Sequence, residues 1–220
     1  MSNDLHDLIR QRIHLLDGAM GTMIQRLKLD EAAVRGKQFE SHHKDLVRFS
    51  DILCITRPDA ISDIHYEYLE AGADIIETNS FGASPVGMAE LELPEELTRD
   101  LNYAAVDCAR KAVDRMRKKD PSRRCYVAGS IGPTTKQLAI STKVEDAANR
   151  DVNFLEMVSS YRVQVAHLVE AGADILLPET AIDTLNLKSC LVAIAEYFAE
   201  SKRRIPVMLS ATFGTGGRTF

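Results

Sequence analysis

The sequence predicts an α/β protein built on a parallel sheet, and three observations carry that reading. The string EAGADI occurs twice, at residues 70–75 and 170–175. Each copy follows apolar residues at helical spacing and runs through a short apolar stretch into Glu-Thr. Three further strand-like stretches, IHLLDG (13–18), RCYVAGSIG (124–132) and PVMLSAT (206–212), alternate with helical sequence. Such alternation makes a parallel sheet, open or closed into a barrel.

The elements can be taken in order. The first strand, 13–18, ends at Asp17-Gly18. A polar segment, 29–57, then interrupts the alternation; long loops of this kind are usually functional or mobile. Ala60, Ile61, Ile64, Tyr68 and Leu69 mark a helix stopped by Gly72, since glycine tolerates the left-handed backbone of a C-terminal cap. The strand 74–77 follows. Pro94-Glu95-Glu96 opens a helix to Lys119, with acids in its first turn and RMRKK in its last, which suits the helix dipole. After the strand 124–132 comes a second polar segment, 132–152. Leu155, Val158, Tyr161, Val165 and Leu168 mark the helix before Gly172 and the strand 174–177. A helix over 183–199 precedes the strand 206–212. Continuous apolar runs such as these suit parallel strands buried on both faces.

Composition narrows the function. The chain has 220 residues, 45% hydrophobic and 27% charged, enough for a sizeable core. A net charge of −5 argues against nucleic-acid or anionic-membrane partners. No apolar run reaches the length of a membrane span, and the charged start lacks a signal-peptide core, so a cytoplasmic protein is expected. Cys54, Cys108, Cys125 and Cys190 form no C-x-x-C pair and read as reduced thiols. The six histidines show no H-x-x-x-H spacing, and no phosphate-binding glycine loop or dinucleotide fingerprint is present. The basic run 110–124 reads as a solvated helix end.

Polar residues collect at the strand ends, where parallel α/β folds place function. They are Asp17-Gly18, Glu77-Thr78-Asn79, Gly129-Ser130-Ile131-Gly132, Glu179-Thr180 and Ala211-Thr212. Carboxylates suit an α-ammonium, and backbone N–H groups with hydroxyls suit an α-carboxylate, so the set points to an amino-acid ligand. Each residue has a structural alternative. Asp17 would cap the helix starting near Gly21. Glu77 and Glu179 would pair with Arg or Lys. Asn79 would cap a turn, and Gly129–Gly132 would be a turn only.

LLDGAMGTMIQ (15–25), RGKQF, SHHKDL, ITRPDAISDIHYEYLEAGADIIETNSFGAS and GSIGPTTK, in that order, resemble the homocysteine-binding domain of cobalamin-dependent methionine synthases. The resemblance covers essentially the whole chain. It implies a (β/α)₈ TIM barrel, incomplete here with about the first five β/α units, so that 1–220 is the N-terminal portion of one domain with no second domain. It implies homocysteine as substrate, activated as thiolate by zinc, and methylated from methylcobalamin that methyltetrahydrofolate recharges on other domains. By motif, Asp17 and Glu179 would hold the substrate ammonium, and Gly129 and Ser130 would receive its carboxylate. Glu77 and Asn79 would shape the same rim, with Gly18 and Thr180 beside them. The family's zinc cysteines lie beyond Phe220, and none of the four cysteines matches them. No catalytic residue or metal ligand is therefore expected within the chain, which alone is expected to be inactive. SDILCIT also departs from the family's usual Asn-Asn-Asp. Competing readings are a non-catalytic amino-acid-binding or interaction module, a homocysteine methyltransferase with another donor, and an unrelated barrel enzyme using Glu77 or Glu179 as general base.

Overall fold

The computed structural model describes residues 7, 9–141, 143, 145–146 and 148–218. Among them three parallel strands form one open sheet in the order β1 (Ile75–Glu77), β2 (Tyr126–Ile131), β3 (Ile175–Pro178). The register sets Ile76 beside Val127 and Glu77 beside Ala128, then Gly129 beside Leu176 and Ser130 beside Leu177.

The expectation of five strands needs correction. Residues 13–18 and 206–212 lie along the sheet edges and are held there through isolated bridges, Leu16 to Ile75 on one side, Val207 to Leu176 and Ala211 to Ala181 on the other. Each has a neighbour on one side only among the described residues, and an edge held on one side forms a shorter ladder than an inner strand. Ile13, Leu15 and Leu209 are correspondingly exposed.

The repeated EAGADI has the same physical job in both places. Helix α4 (Pro58–Ala71) ends on Gly72 at φ 112°, and α7 (Phe154–Ala171) ends on Gly172 at φ 100°, both left-handed. The aspartate then fastens the neighbouring backbone. Asp74 accepts the Leu15 N–H at 3.0 Å and pairs with Arg12 at 2.8 Å. Asp174 accepts the Val127 N–H at 2.8 Å and pairs with Arg110 at 2.8 Å. The repeat therefore locks each strand to the one before it, a role that its apolar pattern does not advertise.

Further helices among the described residues include α1 (Met20–Arg26), α2 (Glu31–Arg35), α3 (Leu53–Thr56), α5 (Pro85–Ala89), α6 (Leu97–Lys119) and α8 (Thr184–Ser201). Helix α6 starts later than Pro94, whose carbonyl accepts the Leu97 N–H at 3.0 Å as a preceding turn. Asn153 and Glu156 form a capping box on α7, which buries Val158, Tyr161, Val165 and Leu168 but leaves Leu155 exposed. The four long helices cover one face of the sheet, meeting Ile76, Val127 and Leu176. Ile75, Ala128, Ile175 and Leu177 pack with Met208 on the other face. The alternation follows from the strand period of two.

The segment 29–57 is an ordered layer, not a free loop. Asp30 caps α2 through the Ala33 N–H at 2.8 Å, and Glu31 accepts the N–H groups of Leu46 and Val47 at 2.8 and 2.7 Å. Val34, Leu46, Ile52 and Leu53 are buried against α4 and α6. Its apolar residues follow no regular period, which hides them from pattern reading. His65, on α4, is fully buried with neither ring nitrogen bonded, and burial pushes its pKa down to about 4, so it is a neutral core residue. Among the described residues no helix is long and apolar enough to cross a membrane.

Candidate functional site

The carboxyl ends of the strands open onto a cavity of about 890 Å³. Asp17, Glu77 and Glu179 line it together, one from the edge segment, one from β1 and one just past β3. Asp17 Oδ2 accepts the Glu77 N–H at 3.0 Å, while Oδ1 is buried without a partner. Glu179 accepts a short hydrogen bond from the Ser130 hydroxyl. Among the described residues none of the three pairs with Arg or Lys, so the ion-pair alternative for Glu77 and Glu179 is absent. Nor does Asp17 cap the next helix, whose N-cap is Ala19 with no side-chain bond.

Three carboxylates sharing a part-buried cavity resist ionisation. Burial pushes Asp17 up from 3.8 to about 7, against the bond from the Glu77 N–H and with the help of Glu179. Burial, then the charges of Glu179 and Asp17, push Glu77 up from 4.5 to about 8. Burial also raises Glu179, which the Ser130 hydroxyl partly offsets. The three titrate as a set rather than singly. Near neutral pH the cavity is an incompletely ionised acidic cluster that gains most from a cation.

The other expected residues fall into two groups. Gly18, Asn79 and Ser130 line the cavity. The Asn79 side chain is committed elsewhere: its amide donates to the Ser50 carbonyl at 2.7 Å, and its carbonyl accepts from the Ser50 hydroxyl at 3.3 Å. The Ser130 N–H donates to Thr78 Oγ1 at 3.0 Å. Gly129 and Thr180 do not reach the cavity. Strand alternation turns Gly129 to the opposite face, where an added Cβ would lie 3.1 Å from Leu168. Glycine is there for helix-to-sheet packing. Thr180 lies past the Glu179 position, exposed, with φ 55°.

Sequence reading missed the contribution of segment 29–57. Arg48, Ser50 and Asp51 line the cavity. Asp51 is buried, and burial pushes it up from 3.8 to about 7. It accepts the Gly82 N–H at 2.7 Å, which pins the turn after β1. Phe81, on that turn, also lines the cavity and sits on Gly132, whose missing Cβ leaves room for the ring. The only sequence signal for this contribution was the length of the segment.

Residues 14–220 match the family model for homocysteine S-methyltransferase. The chain belongs to the homocysteine S-methyltransferase family. Solved structures of the homocysteine methyltransferase MmuM from Escherichia coli share its fold. The oxidized form is 26% identical with a TM-score of 0.71, covering 95% of this chain and 65% of that one. The metallated form is 25% identical at 0.69, covering 95% and 66%. The apo form is 25% identical at 0.64, covering 94% and 62%. This chain thus spans somewhat less than two thirds of the MmuM chain.

For the zinc that the resemblance implies, the described residues offer no ligand set. Among the described residues no three of His, Cys, Asp and Glu converge to hold a metal. Cys54, Cys108 and Cys190 are buried among helices, and Cys125 lies at the start of β2, on the far end from the cavity.

Proposed function

We propose that this chain forms the homocysteine-binding rim of a methyltransferase that converts homocysteine to methionine. The observation that carries the reading is the cluster of Asp17, Glu77 and Glu179, three carboxylates lining one cavity, none of them paired with Arg or Lys among the described residues. An α-ammonium supplies the missing charge, and each carboxylate can accept a charge-assisted hydrogen bond from it. Ser130 orients Glu179 by donating to it, and the Glu77 N–H orients Asp17. Because Asp17 and Glu77 hold protons near neutral pH, the arriving ammonium expels them, and binding releases protons into solution. The cavity far exceeds an amino acid, leaving room for the methyl donor to approach the sulfur. In the reaction the sulfur loses its proton and gains the methyl group.

The resemblance to the cobalamin-dependent branch supports methylcobalamin as donor, carried on a domain outside this chain, with methyltetrahydrofolate as the source of its methyl group. Bound cobalamin would supply a transferable methyl; this chain's residues contribute the seat and orientation of the acceptor. The same family membership supports a barrel completed beyond the three strands described, with the rim at its carboxyl end.

Titration calorimetry with homocysteine tests the reading. Asp17→Asn is expected to lower affinity by about tenfold, the worth of one charged hydrogen bond. Unchanged affinity in that variant would remove the ammonium assignment.

A further inference from the structure

With an ammonium held by the acidic rim, the substrate's carboxylate needs a partner of its own. The two groups share an α-carbon, so the carboxylate enters a cavity already lined by Asp17, Asp51, Glu77, Glu90 and Glu179. There it is repelled unless a donor or a cation faces it. The side-chain donors on the wall are already committed. The Ser130 hydroxyl donates to Glu179, that of Thr135 to Glu90, that of Thr134 to the Lys136 carbonyl at 2.8 Å, and that of Ser50 to Asn79 at 3.3 Å. Ser80 donates to the Ser130 carbonyl at 2.8 Å, so the 2.7 Å contact between Thr78 and Ser80 takes the Thr78 proton. The Asn79 amide donates to the Ser50 carbonyl and to the Cys54 sulfur.

Arg48 is the exception. It is the one cation on the cavity wall among the described residues, and it is exposed. Its guanidinium has no carboxylate in ion-pair range and no hydrogen-bond acceptor among those residues. Its backbone is nevertheless fixed. The Phe49 N–H donates to the Leu46 carbonyl at 2.8 Å, which closes a turn around Val47 and Arg48. Leu46 and Phe49 are buried, and Glu31 accepts the N–H groups of Leu46 and Val47. Asp51 ties the same segment to Gly82. A long cationic side chain on a held turn therefore borders the ligand space without a partner.

We propose that Arg48 receives the α-carboxylate of the amino-acid substrate, while Asp17, Glu77 and Glu179 take its ammonium. A guanidinium presents a planar fork of N–H donors that matches both oxygens of a carboxylate. Both charges of the zwitterion then meet their opposites inside one cavity. The assignment makes the site selective for a free amino acid, because an amine lacks the group that Arg48 holds and a peptide-linked residue has it blocked. It rests on the homocysteine reading above and supplies the carboxylate partner that Gly129, turned to the opposite face, does not.

The test is calorimetry on the 220-residue chain with homocysteine and with 3-aminopropane-1-thiol, which keeps the thiol and ammonium but lacks the carboxylate. No methyl donor is added, so an anionic group on the donor cannot account for the result. Wild type is expected to bind homocysteine about tenfold tighter than the amine, as one charged hydrogen bond allows. Arg48→Met keeps much of the apolar stem and removes the fork. It is expected to weaken homocysteine binding about tenfold and to leave the amine no weaker, with Arg48→Lys in between. Since Arg48 is exposed, both variants should unfold thermally as wild type does. Unchanged homocysteine affinity in Arg48→Met would overturn the proposal and leave the acidic rim standing. Equal weakening of both ligands would overturn it too, because the carboxylate would then not be what Arg48 senses. If wild type binds neither ligand, the homocysteine reading itself falls.

Discussion

Glu77→Gln isolates what the acidic cluster costs the fold. Burial and its two neighbours push Glu77 from 4.5 to about 8. Between those values the folded chain keeps a proton that the unfolded chain has released. Stability must then fall as pH rises through that window, since the unfolded state binds fewer protons. Taken at face value, at about 1.4 kcal/mol per tenfold change, the shift is worth roughly 5 kcal/mol. Glu77 is partly open to water and shares protons with Asp17 and Glu179, so about 2 kcal/mol is the working figure. Glutamine keeps the shape and removes the charge. Urea unfolding at about pH 5 and about pH 8.5 measures the difference, with the denaturant slope checked for constancy. Wild type is expected to lose stability over that interval, and the variant to lose about 2 kcal/mol less. Equal losses in the two proteins, or a variant less stable than wild type at the higher pH, would refute the reasoning.

Three other perturbations probe the scaffold. Gly132→Ala places a Cβ 2.5 Å from Phe81 Cδ1, so the ring must move, and thermal unfolding is expected to show a loss of about 1–3 kcal/mol. Leu168→Ala removes a fully buried side chain that also fills the space beside Gly129. Its expected cost is about 2–5 kcal/mol in denaturant midpoint, and a cost under about 1 would contradict the packing. Asp74→Ala strips the Leu15 N–H and Arg12 of their acceptor. Hydrogen exchange across 13–17 is expected to quicken at a cost of about 1–3 kcal/mol, whereas unchanged protection there would show that the edge holds without it.

Much of this was legible in the sequence, and the reasons differ by residue. The helices before Gly72 and Gly172 show their period and their caps, so both joints could be read directly. Asp17, Glu77 and Glu179 were visible because each ends an apolar run. Ser130 and Gly129 were read together as one loop, although the strand period of two separates them: if Ser130 faces the cavity, Gly129 faces the helices. Asn79 has the right place but spends its side chain on Ser50. Asp51 and Arg48 were out of reach, because the packing of segment 29–57 depends on long-range contacts with α4 and α6 and on no local period. The edge segments read as strands from composition, while their pairing depends on neighbours that composition does not supply.

The most direct test of the central claim compares homocysteine with 4-sulfanylbutanoic acid, which keeps the thiol and carboxylate but lacks the ammonium. Calorimetry at several pH values should show homocysteine binding at least about tenfold tighter, as expected for charged hydrogen bonds. Its advantage should grow as Asp17 and Glu77 ionise between about pH 6 and 8, and shrink in Asp17→Asn. Equal affinity for the two ligands at every pH would mean that the carboxylate rim does not receive the ammonium, and the account would fail at its centre.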